Sequence, residues 1–287
     1  MQLNSKNEFI NYDSLIKRSV IIFILSFYLF RWYSHLLPYH YSGATMVRIN
    51  YNLYMHLYRL LEFDYIITHS KIVAIVFTLL LFFVPIVLFI KINSKFWSIL
   101  FIILNFVYNL IYTTHINYAL HYLEGFVILS LIFLTYTNVK FNLVWQGLRL
   151  FICLTYFIAF VWKFVNGAFF QIDYGEAVFK KNLATYMFLN PDSYMTSIYY
   201  YFLQHPLLLN LGTYVCFLME GVLIIGLFTK KYDKYLIINI LLLHHLLYLF
   251  VDTLFIEWYI FILPFLTPAF WNKMEHKINK ITSIRLN

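Results

Sequence analysis

The stretch "YFIAFVWKFVNGAFFQIDYGEA", Tyr156 to Ala177, opens as a run of bulky apolar residues and carries one lysine, Lys163. No carboxylate lies within a helical turn of that lysine on either side. A run of this kind suits a lipid bilayer, and a charge inside it has to be hidden, paired, neutralised or used. The rest of the chain shows what company the lysine keeps.

Of the 287 residues, 62% are hydrophobic and only 12% charged, with mean hydropathy +0.72. A water-soluble domain of this length cannot dress its surface with so few charges, so the composition indicates a polytopic membrane protein. Only 8 Gly and 6 Pro interrupt the chain, which favours long helices. No extended period-2 alternation of the kind a membrane barrel needs is present. The two cysteines, Cys153 and Cys216, are far apart in apolar runs, and no CxxC motif suggests a redox pair or a thiolate metal site. They read as buried free thiols. The N-terminal segment is polar, and the first apolar run ends in "RWYSHLLP" without a small-residue cleavage site, which predicts a retained signal anchor.

Apolar windows of bilayer length predict an all-α polytopic integral membrane protein of about eight transmembrane helices. They fall near 19–37, 72–90, 97–113, 118–136, 145–165, 207–228, 235–251 and 254–267, with the last two sharing a hinge around Asp252. Charge gives an independent test. With the N-terminus cytoplasmic, the inner loops hold 14 Lys and Arg, Lys17 and Arg149 among them, against 5 in the outer loops. The positive-inside rule therefore favours cytoplasmic N- and C-termini, in a plasma (cytoplasmic) membrane. It also explains the net charge of +8 through contact with anionic lipid, with no nucleic-acid partner. The long outer loops, 38–71 and 166–206, are expected to contain interfacial helices, and "NPDS" at Asn190–Ser193 reads as a turn and helix start.

In this orientation nine of the ten histidines lie outside or in the outer half of the membrane, and only His276 is inside. Arg31 and His35 are four apart on the first helix and should share a face. His121 and Glu124 form an i,i+3 pair. Lys163 lies near the outer end of its helix, His244 and His245 on a later one, with Asp252 beyond. Intramembrane charges are costly, so polar groups from several helices at one depth suggest a cavity. The adjacent His244 and His245 point about 100° apart on a helix of 3.6 residues per turn and have no metal-ligand spacing, so no metal is expected. No GxSxG elbow is present for serine catalysis. An ammonium is disfavoured in a dry pocket, and a neutral amine there can act as a general base. The competing reading makes Lys163 a structural cation paired with Glu124 or Asp252, or one that snorkels to the surface.

The stretch around Lys163 resembles the signature of the HTTM family (horizontally transferred transmembrane domain), which includes vitamin K-dependent gamma-carboxylase. That signature is a Tyr-Phe-x-Ala-Gly-x-x-Lys helix followed by an aromatic-rich segment. Here it is Tyr156, Phe157, Ala159 and Lys163, with Phe160 at the glycine position and Trp162 before the lysine. "INYALHYLEGFVILSLIFL" is similar to the family helix that carries a functional histidine, near His121, and "FLMEGVLIIGLF" with "LLLHHLLYLF" is similar to its late helices, at Glu220 and His244 or His245. The resemblance covers roughly residues 15–268.

The resemblance implies an HTTM-like transmembrane domain over 19–268, between a cytoplasmic segment 1–18 and a basic cytoplasmic tail 269–287. It also implies Lys163 as base, with His121, His244 and His245 orienting groups or relaying protons. Arg31, His35, Glu124, Tyr156, Trp162, Glu220 and Asp252 are the expected pocket residues. The cosubstrate implied is lipid-soluble and quinol-like, a reduced quinone such as vitamin K hydroquinone. The acceptor implied is a secreted peptide or protein undergoing modification or maturation. The large lumenal domain of the carboxylase has no counterpart here, so carboxylation of a propeptide-bearing protein is not implied. The alternative is a non-enzymatic membrane factor that binds, exports or assembles a peptide or lipid.

Overall fold

A computed structural model describes residues 12–41, 60–61, 70–115, 124–251 and 259–285, with the side chains of 41, 113–115, 124–126 and 281–285 left out. Among the described residues the regular structure is all helical. Two compact units divide the chain: Met1–Leu148 with Ile256–Asn287, and Arg149–Phe255.

The first unit contains α1 (Asp13–Tyr33), α2 (Pro38–Tyr41), α3 (Lys71–Ile90), α4 (Lys95–His115), α5 (Glu124–Ser130), the start of α6 (Asn138–Val165), and α12 (Pro268–Arg285). The second contains the rest of α6, then α7 (Tyr174–Leu189), α8 (Tyr194–Gln204), α9 (Pro206–Val222), α10 (Ile225–Phe228) and α11 (Asp233–Val251). Six stretches are long and apolar enough to cross a membrane: Asp13–His40, Lys71–Ile90, Lys95–Tyr112, Asn138–Val165, Pro206–Phe228 and Asp233–Val251.

The third helix shows why lipid is the solvent. Its buried stripe, Ala74, Thr78, Leu81, Pro85 and Leu88, follows helical spacing and includes small residues. The opposite stripe, Ile72, Val76, Leu79, Phe83, Ile86 and Ile90, is large, apolar and exposed. Water would not tolerate that face, whereas hydrocarbon does, and small residues let neighbouring helices approach. The protein is an all-α integral membrane protein.

Two further expected crossings lie only partly within the described residues. In 118–136 the described part is the seven-residue α5 followed directly by a 3-10 turn at Leu131–Leu134. In 254–267 the described part is a 3-10 turn, Ile260–Phe265, with Pro264 inside it. Proline removes a backbone donor, which disfavours a longer α-helix there. The segment 166–206, expected outside the membrane, contains two shorter helices, α7 and α8. Ser193 caps α8 by accepting a hydrogen bond from the Thr196 N–H at 3.1 Å.

Buried polar groups knit the first unit together. Tyr28 donates to Asn105 Oδ1, which joins α1 to α4, and Tyr108 donates to the Leu36 carbonyl at 2.8 Å. Lys17 is buried rather than a loop cation: its Nζ donates to the Thr135 carbonyl at 2.8 Å and lies 3.8 Å from Asp13. Each of these groups would be costly in hydrocarbon without its partner.

Candidate functional site

In the second unit Lys163, near the end of α6, forms an ion pair with Glu220 on α9. Its Nζ lies 2.5 Å from Oε1 and also bonds Oε2. The glutamate side chain is 9% exposed and the lysine 27%. The expected partners were Glu124 and Asp252; the observed one is Glu220, 57 residues away in sequence. Helix α9 returns alongside α6, with Gly221 opposite the Phe160 ring, and this brings the two charges together. Phe217 supplies the floor, its ring centroid 5.3 Å from Lys163 Nζ.

The pair sits on the wall of a cavity of about 430 Å³ built by α6, α7, α8, α9 and α11. Leu209, Thr213, Cys216 and Glu220 line it from one face of α9. Phe179, Phe202 and Phe250 enclose it from α7, α8 and α11, so apart from the ion pair most of the lining is apolar. Gly175 lets α7 come close enough to α9 to shape this space: a Cβ there would meet the Leu209 carbonyl oxygen at 2.7 Å.

The remaining expected site residues divide clearly. Tyr156 and His244 are buried and hydrogen-bonded to each other between α6 and α11. They do not line the cavity. His245 is exposed and donates from Nδ1 to the carbonyl of Leu241 on its own helix at 2.7 Å, so adjacency on α11 sends the two rings in different directions. Trp162 is 64% exposed and also lies outside the cavity lining.

Arg31 and His35 belong to the first unit and do not share a helix face, because α1 ends between them. The Leu36 N–H returns to the Arg31 carbonyl at 2.8 Å and the His35 N–H to Trp32 at 3.2 Å, with His35 at φ 56°. This is a Schellman ending with histidine in the left-handed position where glycine is usual. The Arg31 guanidinium donates to the Tyr112 hydroxyl, 4.6 Å from the Phe27 ring centroid and 4.2 Å from that of Tyr112. Exposed His35 packs edge-on against His40 with ring centroids 5.0 Å apart. His121 and Asp252, and the side chain of Glu124, lie outside the described residues.

One further ion pair was not foreseen. Arg149, expected as an inner-loop topology signal, is buried within α6. It donates to both carboxylate oxygens of Asp233, at 2.8 and 2.5 Å, and to the carbonyls of Gly226 and Thr229 at 2.7 and 2.8 Å. It clamps the turn between α10 and α11 onto α6, as a planar five-donor fork can. Cys153 is buried against Gly226, and Cys216, expected to be buried, is partly exposed in the cavity wall.

Comparison with family models, with curated proteins and with solved structures finds no match to this chain.

Proposed function

We propose that the protein is a membrane-embedded enzyme of the vitamin K-dependent gamma-carboxylase-like kind, using Lys163 as a base toward a quinol-like, lipid-soluble cosubstrate. The observation that carries the reading is the Lys163–Glu220 pair on the wall of an apolar cavity. Small-molecule sites have this character, an apolar lining with few polar groups. The family resemblance around Lys163 adds the quinol class and a secreted peptide as the acceptor. The apolar windows and the charge bias of the loops add about eight spans and cytoplasmic termini in the plasma membrane.

The pair supplies the proton logic. As an ammonium Lys163 cannot accept a proton. Moving one proton to Glu220 converts ammonium and carboxylate into amine and carboxylic acid, with no change in net charge. A low-dielectric site favours that neutral form far more than water does. The amine then takes the proton of a quinol hydroxyl, leaving a quinolate anion beside a renewed ammonium. Glu220 is in this reading the group that takes the ammonium proton and so frees the amine for the quinol.

Anaerobic titration of the purified protein with vitamin K hydroquinone tests this directly, because the quinolate absorbs at longer wavelength than the quinol. A red-shifted band is expected with the wild type and not with a Lys163→Ala protein that is still folded at the assay temperature. Binding without the band favours a non-enzymatic lipid- or peptide-binding factor, in which the pair only holds helices together.

A further inference from the structure

The cavity has a direction. Leu209, Thr213, Cys216 and Glu220 are spaced by four, three and four residues, so they form one stripe along α9. At 1.5 Å per residue the stripe is about 16 Å long. The charged groups, Lys163 and Glu220, lie at one end of it. Leu208 and Leu209 lie at the other, and Phe202 and Phe250, which complete the wall, pack on each other with ring centroids 5.0 Å apart.

The cavity's length and its mostly apolar walls suit a hydrocarbon tail lying along α9. Gly212, midway along α9, borders this open space: a Cβ there would meet nothing within 4 Å.

The polar end also defines a head. Lys163 and Glu220 sum to zero charge, so a charged head would bring an uncompensated charge into a low-dielectric site. Two of the three ammonium N–H groups serve the Glu220 oxygens. Among the described residues the third has the Phe217 face beside it and can donate to a head oxygen. The carboxylate keeps spare lone pairs that can accept from a hydroxyl.

We infer that the cavity is a slot for a tailed amphiphile: an uncharged, hydroxyl-bearing head at Lys163 and Glu220, and a hydrocarbon tail running along α9 toward Phe202 and Phe250. A monoacylglycerol and a tailed quinol share this chemistry. The slot deepens the proposed function by naming the shape of its ligand, but it stands without deprotonation.

The test is photolabelling of the detergent-purified full chain with monopalmitoylglycerol carrying a diazirine at the tail end, followed by peptide mapping. Label is expected on the segments containing Phe202 and Phe250. Unlabelled monopalmitoylglycerol at about ten times its Kd should reduce it about tenfold. Gly212→Leu, which fills open space, should lose the label while melting like the wild type. A diazirine alkane without a head should label without saturation.

Unsaturable labelling by the glycerol ester, or full saturable labelling of a stable Gly212→Leu, overturns the slot. A vitamin K hydroquinone arm separates the two proposals. Competition by the hydroquinone supports the slot, with a quinol as its occupant. Saturable labelling without such competition supports the slot with a glycerol lipid as occupant, and rejects the quinol reading alone.

Discussion

Lys163 and Glu220 face each other from two helices, one ammonium bonded to both oxygens of one carboxylate. The partners are unequally buried, and that inequality sets the cost of losing either. Lys163→Met leaves a carboxylate that is 9% exposed with no counter-charge, a loss of about 3–5 kcal/mol. Glu220→Gln leaves an ammonium that is 27% exposed on a flexible stem, so the loss should be smaller. Lys163→Met with Glu220→Met removes both charges and should melt above Lys163→Met alone. Thermal melts in one detergent give this order.

Arg149 presents a stricter case, because four acceptor contacts depend on one fork. Lysine is a point charge and cannot reach Asp233, Gly226 and Thr229 together. Arg149→Lys should therefore destabilise nearly as much as Arg149→Met, about 3 kcal/mol. Denaturation monitored by tryptophan fluorescence should place the two variants together, well below the wild type.

The buried contacts of Lys17 and Arg149 bear on orientation. Removing these two from the 14 cations expected in inner loops leaves 12 against 5, so the bias retains its sign. A fluorescent protein fused after Asn287 should fold in the cytoplasm and fluoresce. A phosphatase inserted in the Asn190–Ser193 turn should be active on the other side. The reverse pattern inverts the assignment.

The sequence made some of this legible and hid the rest for physical reasons. Six apolar windows appear as helices long enough to cross because length and hydropathy are local properties. The Ser193 cap was visible in "NPDS" for the same reason. Lys163 stood out because a lone charge in an apolar run is costly. Its partner did not, since Glu220 is 57 residues away and only helix packing brings it near. Marking the α9 face that carries Glu220 would have pointed to Cys216, Thr213 and Leu209. The aromatic wall, Phe179, Phe202 and Phe250, had no distinguishing signal among 31 phenylalanines. The Arg31–His35 pairing failed because i,i+4 spacing says nothing about where a helix stops.

That helix end makes its own prediction. His35 at φ 56° holds a conformation in which a side chain crowds the backbone, a cost of about 1 kcal/mol that glycine avoids. His35→Gly should raise the melting temperature even though it removes the ring contact with His40. His35→Val should lower it, because a β-branched residue tolerates this conformation least. If His35→Gly melts lower, the His35–His40 contact outweighs the backbone strain.

The cavity wall offers a matched pair of glycines. At Gly175 a Cβ would meet the Leu209 carbonyl at 2.7 Å and Thr213 Oγ1 at 2.5 Å. The carbonyl is backbone of α9 and cannot rotate away, so Gly175→Ala must push α7 off α9 and cost about 1–3 kcal/mol. At Gly212 nothing lies within 4 Å, so alanine meets no clash and gains about 0.5–1 kcal/mol from helix propensity. Both residues line the same cavity, yet the two substitutions should move the melting temperature in opposite directions. Equal effects would mean that α7 does not lie against α9 closely enough to form the wall beside Glu220.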